Sequence, residues 1–162
     1  MADKWLEVNV RNLDRVKEYI STLPRNIRGQ ATEAAAKYLI GNDRRGLKHY
    51  PNRVQHGADN PYQWQSERQR RAYFATNGFG AGIPYSRTDT LKNGWEVVNK
   101  GVSAKIVNDV PYASFVMDEF QQVGHKADGW RLVAQIISSN IAGMYQQIDR
   151  VLQDWINRNE PK

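Results

Sequence analysis

The chain has 162 residues, of which 40% are hydrophobic and 10% aromatic, and its formal net charge is +6. This composition is typical of one globular domain with its own core, and it excludes a disordered chain. The chain contains no cysteine, which excludes disulfides, thiol catalysis and cysteine-ligated zinc.

The N-terminal part predicts an extended segment followed by two helices. Residues 1–8 lack the apolar run of a secretory signal, so we expect the chain to stay in the cytosol or enter a particle there. Residues 5–10 alternate and indicate a first strand or an extended arm. Asn12 or Asp14 can cap a short helix through Ile20. A second helix, over roughly residues 25–40, has a small-residue face that predicts core packing or, alternatively, packing between subunits.

Residues 41–65 predict a long loop, because Gly, Asn and Pro recur through them. A loop of this length inside a domain is often functional or mobile, and we expect this one to be mobile. It combines bases with aromatic residues such as Tyr50, Tyr62 and Trp64. Such a mixture can stack nucleobases and hold phosphates, or it can anchor a protein interface; the residues leave both possibilities open.

The next helix is predicted to begin at Ser66, whose hydroxyl can cap it, and to end at Asn77 and Gly78. A glycine-rich hinge with Gly80 and Gly82 follows. Residues 44–71 contain seven Lys or Arg and two acids, so most of the positive charge is local. This basic patch can meet phosphate or an acidic protein surface, although a merely solvated helix face is equally compatible. The patch residues, with one further Arg after the hinge, are Arg44, Arg45, Lys48, Arg53, Arg68, Arg70, Arg71 and Arg87.

The C-terminal half predicts a hairpin and a long helix. Residues 95–98 and 102–108 read as two strands, and residues 111–117 as an edge strand or a short turn. An apolar repeat from Trp130 to Trp155 predicts an amphipathic helix of about 28 residues, with Asp128 as its cap. Trp95, Tyr112 and Trp130 are assigned to the core. The expected fold is a single α+β domain over residues 1–162, in which a small antiparallel sheet is packed by N-terminal helices and the long C-terminal helix.

No catalytic pattern emerges, and we expect neither an enzyme nor a metal or cofactor site. His49, His56 and Asp59 lack a known ligand spacing, and no nucleophile motif surrounds Ser86 or Ser114, the conceivable partners of His125. The glycines at 78, 80 and 82 lack the Lys-Ser/Thr of a phosphate loop. A hydrolase built on the histidines is therefore the weakest of the possible functions.

Three segments carry a family resemblance: SERQRRAYFA, GAGIPYSRTDTLKNGW and IVNDVPYASFVM. In this order they resemble the small tail-completion or head–tail joining proteins of tailed bacteriophages, which often show Pro-Tyr-x-Arg-Thr-Gly-x-Leu-x-x-x-Trp and later Val-x-Asn and Pro-Tyr-Ala. The resemblance covers roughly residues 61–135, and Asp89 replaces the usual Gly. The matching residues are Pro84, Tyr85, Arg87, Thr88, Leu91, Trp95, Val107, Asn108, Pro111, Tyr112 and Ala113.

This resemblance implies a structural virion protein at the head–tail neck. It implies a ring of identical subunits, expected to be a hexamer, between head-connector proteins and tail-tube or tail-terminator proteins, with DNA possibly passing through the lumen. In that setting Arg68, Arg70, Arg71 and Arg87 are expected to serve assembly more than folding. The alternative is a sequence-nonspecific nucleic-acid-binding protein that uses residues 44–74.

Overall fold

The computed structural model describes residues 13–41, 45–52, 54, 56, 58–77 and 89–159. Several predictions concern residues outside these ranges, whose structure is not described. They are the strand or arm at residues 5–10, the glycine hinge, and the positions of Arg44, Arg53, Pro84, Tyr85, Arg87 and Thr88.

Helices dominate the described residues, and they surround one hairpin. The elements are α1 Leu13–Thr22, α2 Arg28–Gly41, α3 Glu67–Asn77, α4 Thr90–Asn93, β1 Trp95–Asn99, β2 Ala104–Asn108, α5 Ala113–Met117, α6 Val123–Ala127 and α7 Val133–Asn159. The sheet has two antiparallel strands. The predicted α+β fold, with its small sheet and long C-terminal helix, is confirmed.

The core lies mainly between α2 and α7. The small-residue face predicted for α2 is buried there, with Ala31 fully inaccessible and Ala35 nearly so. Facing α7 contributes large buried side chains, among them Ile137 and Ile148. The helices approach closely, because the Tyr38 ring lies against Gly143 where a side chain would otherwise project.

The hairpin packs against α2. Trp95 pairs with Asn108, and Val97 pairs with Ile106, which places their side chains toward the core. The Asn99 amide donates to the Glu33 carboxylate on α2 at 3.0 Å. The two predicted strands are therefore confirmed, with the first ending at residue 99 rather than 98 and the second beginning at residue 104 rather than 102.

Two predictions in the C-terminal half are wrong. Residues 111–117 do not form the edge strand that was one of their two predicted alternatives: the chain turns at residues 111 and 112 and then forms helix α5. The turn is held by the Asn108 side chain, which accepts the Val110 N–H at 3.1 Å. Asp128 does not cap α7, which begins later at Val133. Instead the Gln135 side chain accepts the Leu132 N–H at 3.0 Å, as the third helical residue does in a capping box.

The core assignments of the aromatic residues have mixed outcomes. Trp95 is buried, at 3% exposure. Trp130 is half-buried and packs against the core. Tyr112 is 44% exposed, because it precedes α5 on the outer side of the turn, and its assignment to the core is wrong.

No helix within the described part of the chain combines the length and apolarity needed to cross a membrane.

The close approach of α2 and α7 gives a test of the core. Gly143→Ala is expected to destabilise the protein by about 1–2 kcal/mol, because the added methyl group must displace the Tyr38 ring. Gly41→Ala is the matched control, since nothing lies within contact of its added methyl, and it should be neutral or stabilising by up to about 1 kcal/mol. Urea denaturation of both variants measures the difference. Equal effects at the two glycines would contradict the packing described.

Candidate assembly interface

Helix α3 begins as the sequence predicts. The Ser66 hydroxyl accepts the Gln69 N–H at 3.1 Å, and the Gln69 side chain in turn accepts the Gln65 N–H at 2.8 Å. This reciprocal pair resembles a capping box and fixes the first turn. None of residues 67–75 is buried, so the helix lies at the surface of the molecule.

Three of the predicted basic residues lie together on α3. Arg70 donates two hydrogen bonds to the Glu67 carboxylate, at 2.7 and 2.8 Å, and Arg71 donates one at 3.1 Å. Both arginines lower the pKa of Glu67, to about 2, and Arg70 has the larger effect. Arg68 is exposed on the same helix. One acid therefore offsets part of the positive charge, and α3 keeps a net charge of +2.

The remaining described bases lie on a different segment. Arg45 is exposed and Lys48 half-buried. The Arg45 carbonyl accepts a hydrogen bond from the buried Asn140 side chain of α7 at 2.9 Å. The structure therefore divides the predicted basic patch between α3 and a segment attached to α7, with Arg44, Arg53 and Arg87 outside the described residues.

The described residues of the long loop contain no helix or strand, as predicted, but they are attached to the core. Leu47 is fully buried, and its N–H donates to the Leu39 carbonyl at 2.9 Å. The Tyr50 ring packs on the Trp130 ring at 4.6 Å between centroids. The mobility expected of residues 41–65 stays a prediction.

The aromatic residues of the loop pack on each other and on α3. Ring centroids are 4.8 Å apart for Tyr62 and Trp64, and 5.2 Å apart for Trp64 and Tyr73. Tyr62 also lies directly against Gly124 of α6, where no side chain would fit. Because these rings contact one another edge-on or tilted, they form an internal cluster rather than a row of open stacking faces.

Two glutamines join α3 to α6. The side-chain oxygen of Gln65 accepts the backbone N–H of Val123, the first residue of α6, at 3.1 Å. The Gln69 amide donates to the Gln122 side chain at 2.9 Å. The start of α3 therefore adjoins the start of α6.

A histidine–aspartate pair, which the sequence does not reveal, holds the loop to the end of α6. The His56 Nε2 lies 3.0 Å from the Asp128 Oδ1, and its Nδ1 lies 3.1 Å from the Asn60 carbonyl oxygen. Both side chains are about nine-tenths buried. Each nitrogen of the His56 ring therefore faces an oxygen atom that can accept a hydrogen bond. Neither nitrogen is left to act as a general base.

The other histidines do not complete a catalytic arrangement. His49 is exposed. Burial lowers the pKa of His125, and the Asp128 carboxylate opposes that effect only in part. No hydrogen bond joins Ser114 to His125, and the described ranges contain no cluster of three or more metal-ligating side chains. Ser86 lies outside them.

Several residues of the family-like motif have a structural role. The buried Asn108 side chain donates to the Leu91 carbonyl at 2.8 Å and accepts the Val110 N–H at 3.1 Å. Leu91, Trp95 and Ala113 are buried around this point. The motif thus holds α4, the hairpin and α5 together, whereas Pro111 and Tyr112 are exposed.

Asp89 replaces the glycine of the motif and keeps the backbone shape that glycine favours. Its φ is 55°, in the left-handed region, immediately before α4. Asp and Asn tolerate this region better than most side chains, because their short polar groups can bond locally. Asp89 therefore adopts a backbone conformation that Gly also favours.

Sequence reasoning missed an exposed apolar surface. We define the aromatic patch as Tyr112, Phe115, Phe120 and Val123, whose exposures lie between 40% and 63%. Backbone hydrogen bonds run from Phe115 to Tyr112 and from Gln122 to Phe115, so the backbone on both sides of Phe120 folds back on itself. The apolar run at 111–117 is a sequence feature that could have indicated the patch, but an edge strand or a short turn was predicted there.

The hydrogen bonds of Asn108 give a test of the motif. Asn108→Ala is expected to cost about 2–4 kcal/mol, because it leaves a carbonyl and an N–H buried without partners. Asn93→Ala, at an exposed position on α4, should stay within about 0.5 kcal/mol. Denaturant unfolding of the two variants makes the comparison, and a small loss for Asn108→Ala would refute the structural role.

His125 gives a pH test. Since its folded pKa is lowered, the unfolded chain binds a proton where the folded chain does not, and stability falls as pH drops below about 6.5. His125→Gln should therefore reduce the loss of unfolding free energy between about pH 7.5 and pH 5.5. Thermal melts of wild type and variant across this pH range make the comparison, and parallel curves for the two would contradict the assignment.

Comparison of the chain with protein-family models, with curated proteins and with solved structures finds no match.

Proposed function

We propose that this chain is a structural virion protein of a tailed phage, which joins or completes the tail at the head–tail neck as a ring of identical subunits. The proposal depends mainly on the motif residues between Leu91 and Ala113, which follow one another in the sequence order that the resemblance requires and lie in the expected α+β fold. A ring uses heterologous contacts, so each subunit must present two different surfaces to its neighbours. Its further partners are head-connector and tail-tube or tail-terminator proteins.

The placement of the arginines supports an assembly role. Arg68, Arg70 and Arg71 lie on a helix with no buried residue among 67–75, which supports a role outside the core. Surface charges of this kind steer partners and set the relative orientation of docked proteins. The long loop beside them is attached at several points, which suits a surface that must keep its shape in an assembly.

A nucleic-acid-binding protein is the second candidate, favoured by the excess of bases in residues 44–71. Two observations weigh against tight binding. Arg70 and Arg71 are hydrogen-bonded to Glu67, which competes with phosphate for them. The rings of Tyr62, Trp64 and Tyr73 contact one another rather than offering open faces to bases. DNA titrations across salt separate the candidates: strong binding that falls steeply with salt would favour the second, and feeble binding at physiological salt favours the first.

The proposal is tested by counting copies of the chain in particles. Quantitative mass spectrometry of tailed-phage particles released by the strain that encodes it should find a small ring-like number, about six per particle. Absence of the chain from purified particles would overturn the proposal.

A charge reversal tests the role of α3. The double change Arg68→Glu and Arg71→Glu should reduce incorporation into particles by about tenfold or more, because a repulsive charge replaces a matched one at the contact. Its melting temperature should stay within a few degrees of wild type, since helix ion pairs contribute only about 0.2–0.5 kcal/mol each. Complementation of a phage lacking the gene provides the assay.

Arg150→Glu on α7 is the matched control for this reversal, because it is another exposed arginine, and it should be incorporated normally. A sharp fall in melting temperature of the α3 variant, with normal incorporation of the protein that remains folded, would show that these arginines serve folding.

A further inference from the structure

Four contacts join residues 56–77 to one short stretch of the chain, residues 122–128. They are the pair His56–Asp128, the ring of Tyr62 on Gly124, and the hydrogen bonds Gln65–Val123 and Gln69–Gln122. None of residues 58–75 is buried, and within the described residues the hydrophobic core takes no member from this segment. We call residues 56–77 the strap, because they lie at the surface and are fastened to the molecule at residues 122–128.

Residues 122–128 have their own attachment to the rest of the molecule. The side-chain amide of Gln121 donates to the carbonyls of Val116 and Trp130, at 2.7 and 3.0 Å. The Trp130 N–H donates to the His125 carbonyl at 3.0 Å, and the Trp130 ring packs against the core. The strap is therefore fastened to a support that the core holds in place.

The pair of His56 and Asp128 is the fastening that is best shielded from water. The two side chains are only 7% and 10% exposed, whereas the hydrogen bond between Gln65 and Val123 is exposed. Removing one member of a buried pair leaves the other without its partner, which costs far more than the loss of an exposed contact. The attachment of the strap therefore depends mainly on this pair.

A continuous series of ring contacts runs from His56 to α3. The centroids of the His56 and Tyr62 rings are 5.2 Å apart. Tyr62 contacts Trp64, and Trp64 contacts Tyr73 of α3. Packed side chains in unbroken contact are a physical route by which a change at one residue reaches another. Loss of the His56 contact is therefore expected to reach α3.

We propose that the pair of His56 and Asp128 is a latch, which holds the strap with α3 on residues 122–128, and that the strap detaches as one unit when the pair is broken. While the latch is closed, the arginines of α3 keep one orientation relative to the core. The latch therefore determines whether the basic surface of α3 is fixed or free to move. This inference concerns the isolated chain and does not rest on the proposed function.

Spin labelling of the full chain tests the latch, because a chain without cysteine accepts one nitroxide at an introduced cysteine. Ala75→Cys reports on α3 and Ala142→Cys reports on α7, and both positions are exposed. His56→Ala and Asp128→Ala should each raise the ratio of mobile to immobile label at residue 75 about tenfold or more, because each leaves a buried polar partner unsatisfied. The label at residue 142 should be unchanged.

A double variant and a control show whether the pair acts as one contact. His56→Ala with Asp128→Ala should mobilise the label at residue 75 no more than the stronger single change, since both remove the same contact. Gln63→Ala alters an exposed side chain of the strap and should leave that label immobile. Circular dichroism checks the fold of every variant. An immobile label in both single variants, equal mobilisation at residues 75 and 142, or additive effects in the double variant would overturn the proposal.

Discussion

The packing of α2 on α7 is the contact on which the rest of the structure depends. Small side chains on α2 and Gly143 on α7 let the two helices approach closely, and the large apolar residues of α7 fill the space around them. The hairpin also packs against α2, and α1 packs along α7, where the Tyr19 hydroxyl donates to the Asp149 carboxylate at 2.6 Å. These two helices therefore position α1 and the hairpin, whereas α3 and α6 are held by each other and by the long loop.

Irregular backbone is fixed by two buried asparagines. Asn140 donates to the Arg45 carbonyl and so attaches the long loop to α7, while Asn108 joins the segment before the hairpin to the turn after it. A buried amide both donates and accepts, so it can replace the hydrogen bonds that loop backbone lacks. Satisfied networks of this kind favour one arrangement over its close competitors.

Much of the fold could be predicted from the sequence, because its dominant features are local. The spacing of apolar and small residues predicted α2 and α7, and a capping Ser predicted the start of α3. Two strand-like segments predicted the hairpin. The errors arose where contacts outside the local pattern decide. Helix α5 follows a turn held by Asn108, which also bonds Leu91, 17 residues away, and Asp128 pairs with a histidine 72 residues away rather than capping a helix. The candidate interface was predicted in part. Arg68, Arg70 and Arg71 do lie together, and the pairing of Glu67 with Arg70 and Arg71 follows the spacing of three and four residues on a helix. No local pattern shows that Tyr112, Phe115 and Phe120 are exposed.

The peripheral attachment of α3 also determines how the molecule opens. This helix contributes no buried side chain among residues 67–75 and is held through its first turn and the loop that precedes it. Breaking those few contacts would leave the core between α2 and α7 intact, so α3 is a unit of low local stability. Its backbone amides should therefore exchange with solvent long before those of α7, and a protease could remove the helix from a molecule that is otherwise folded.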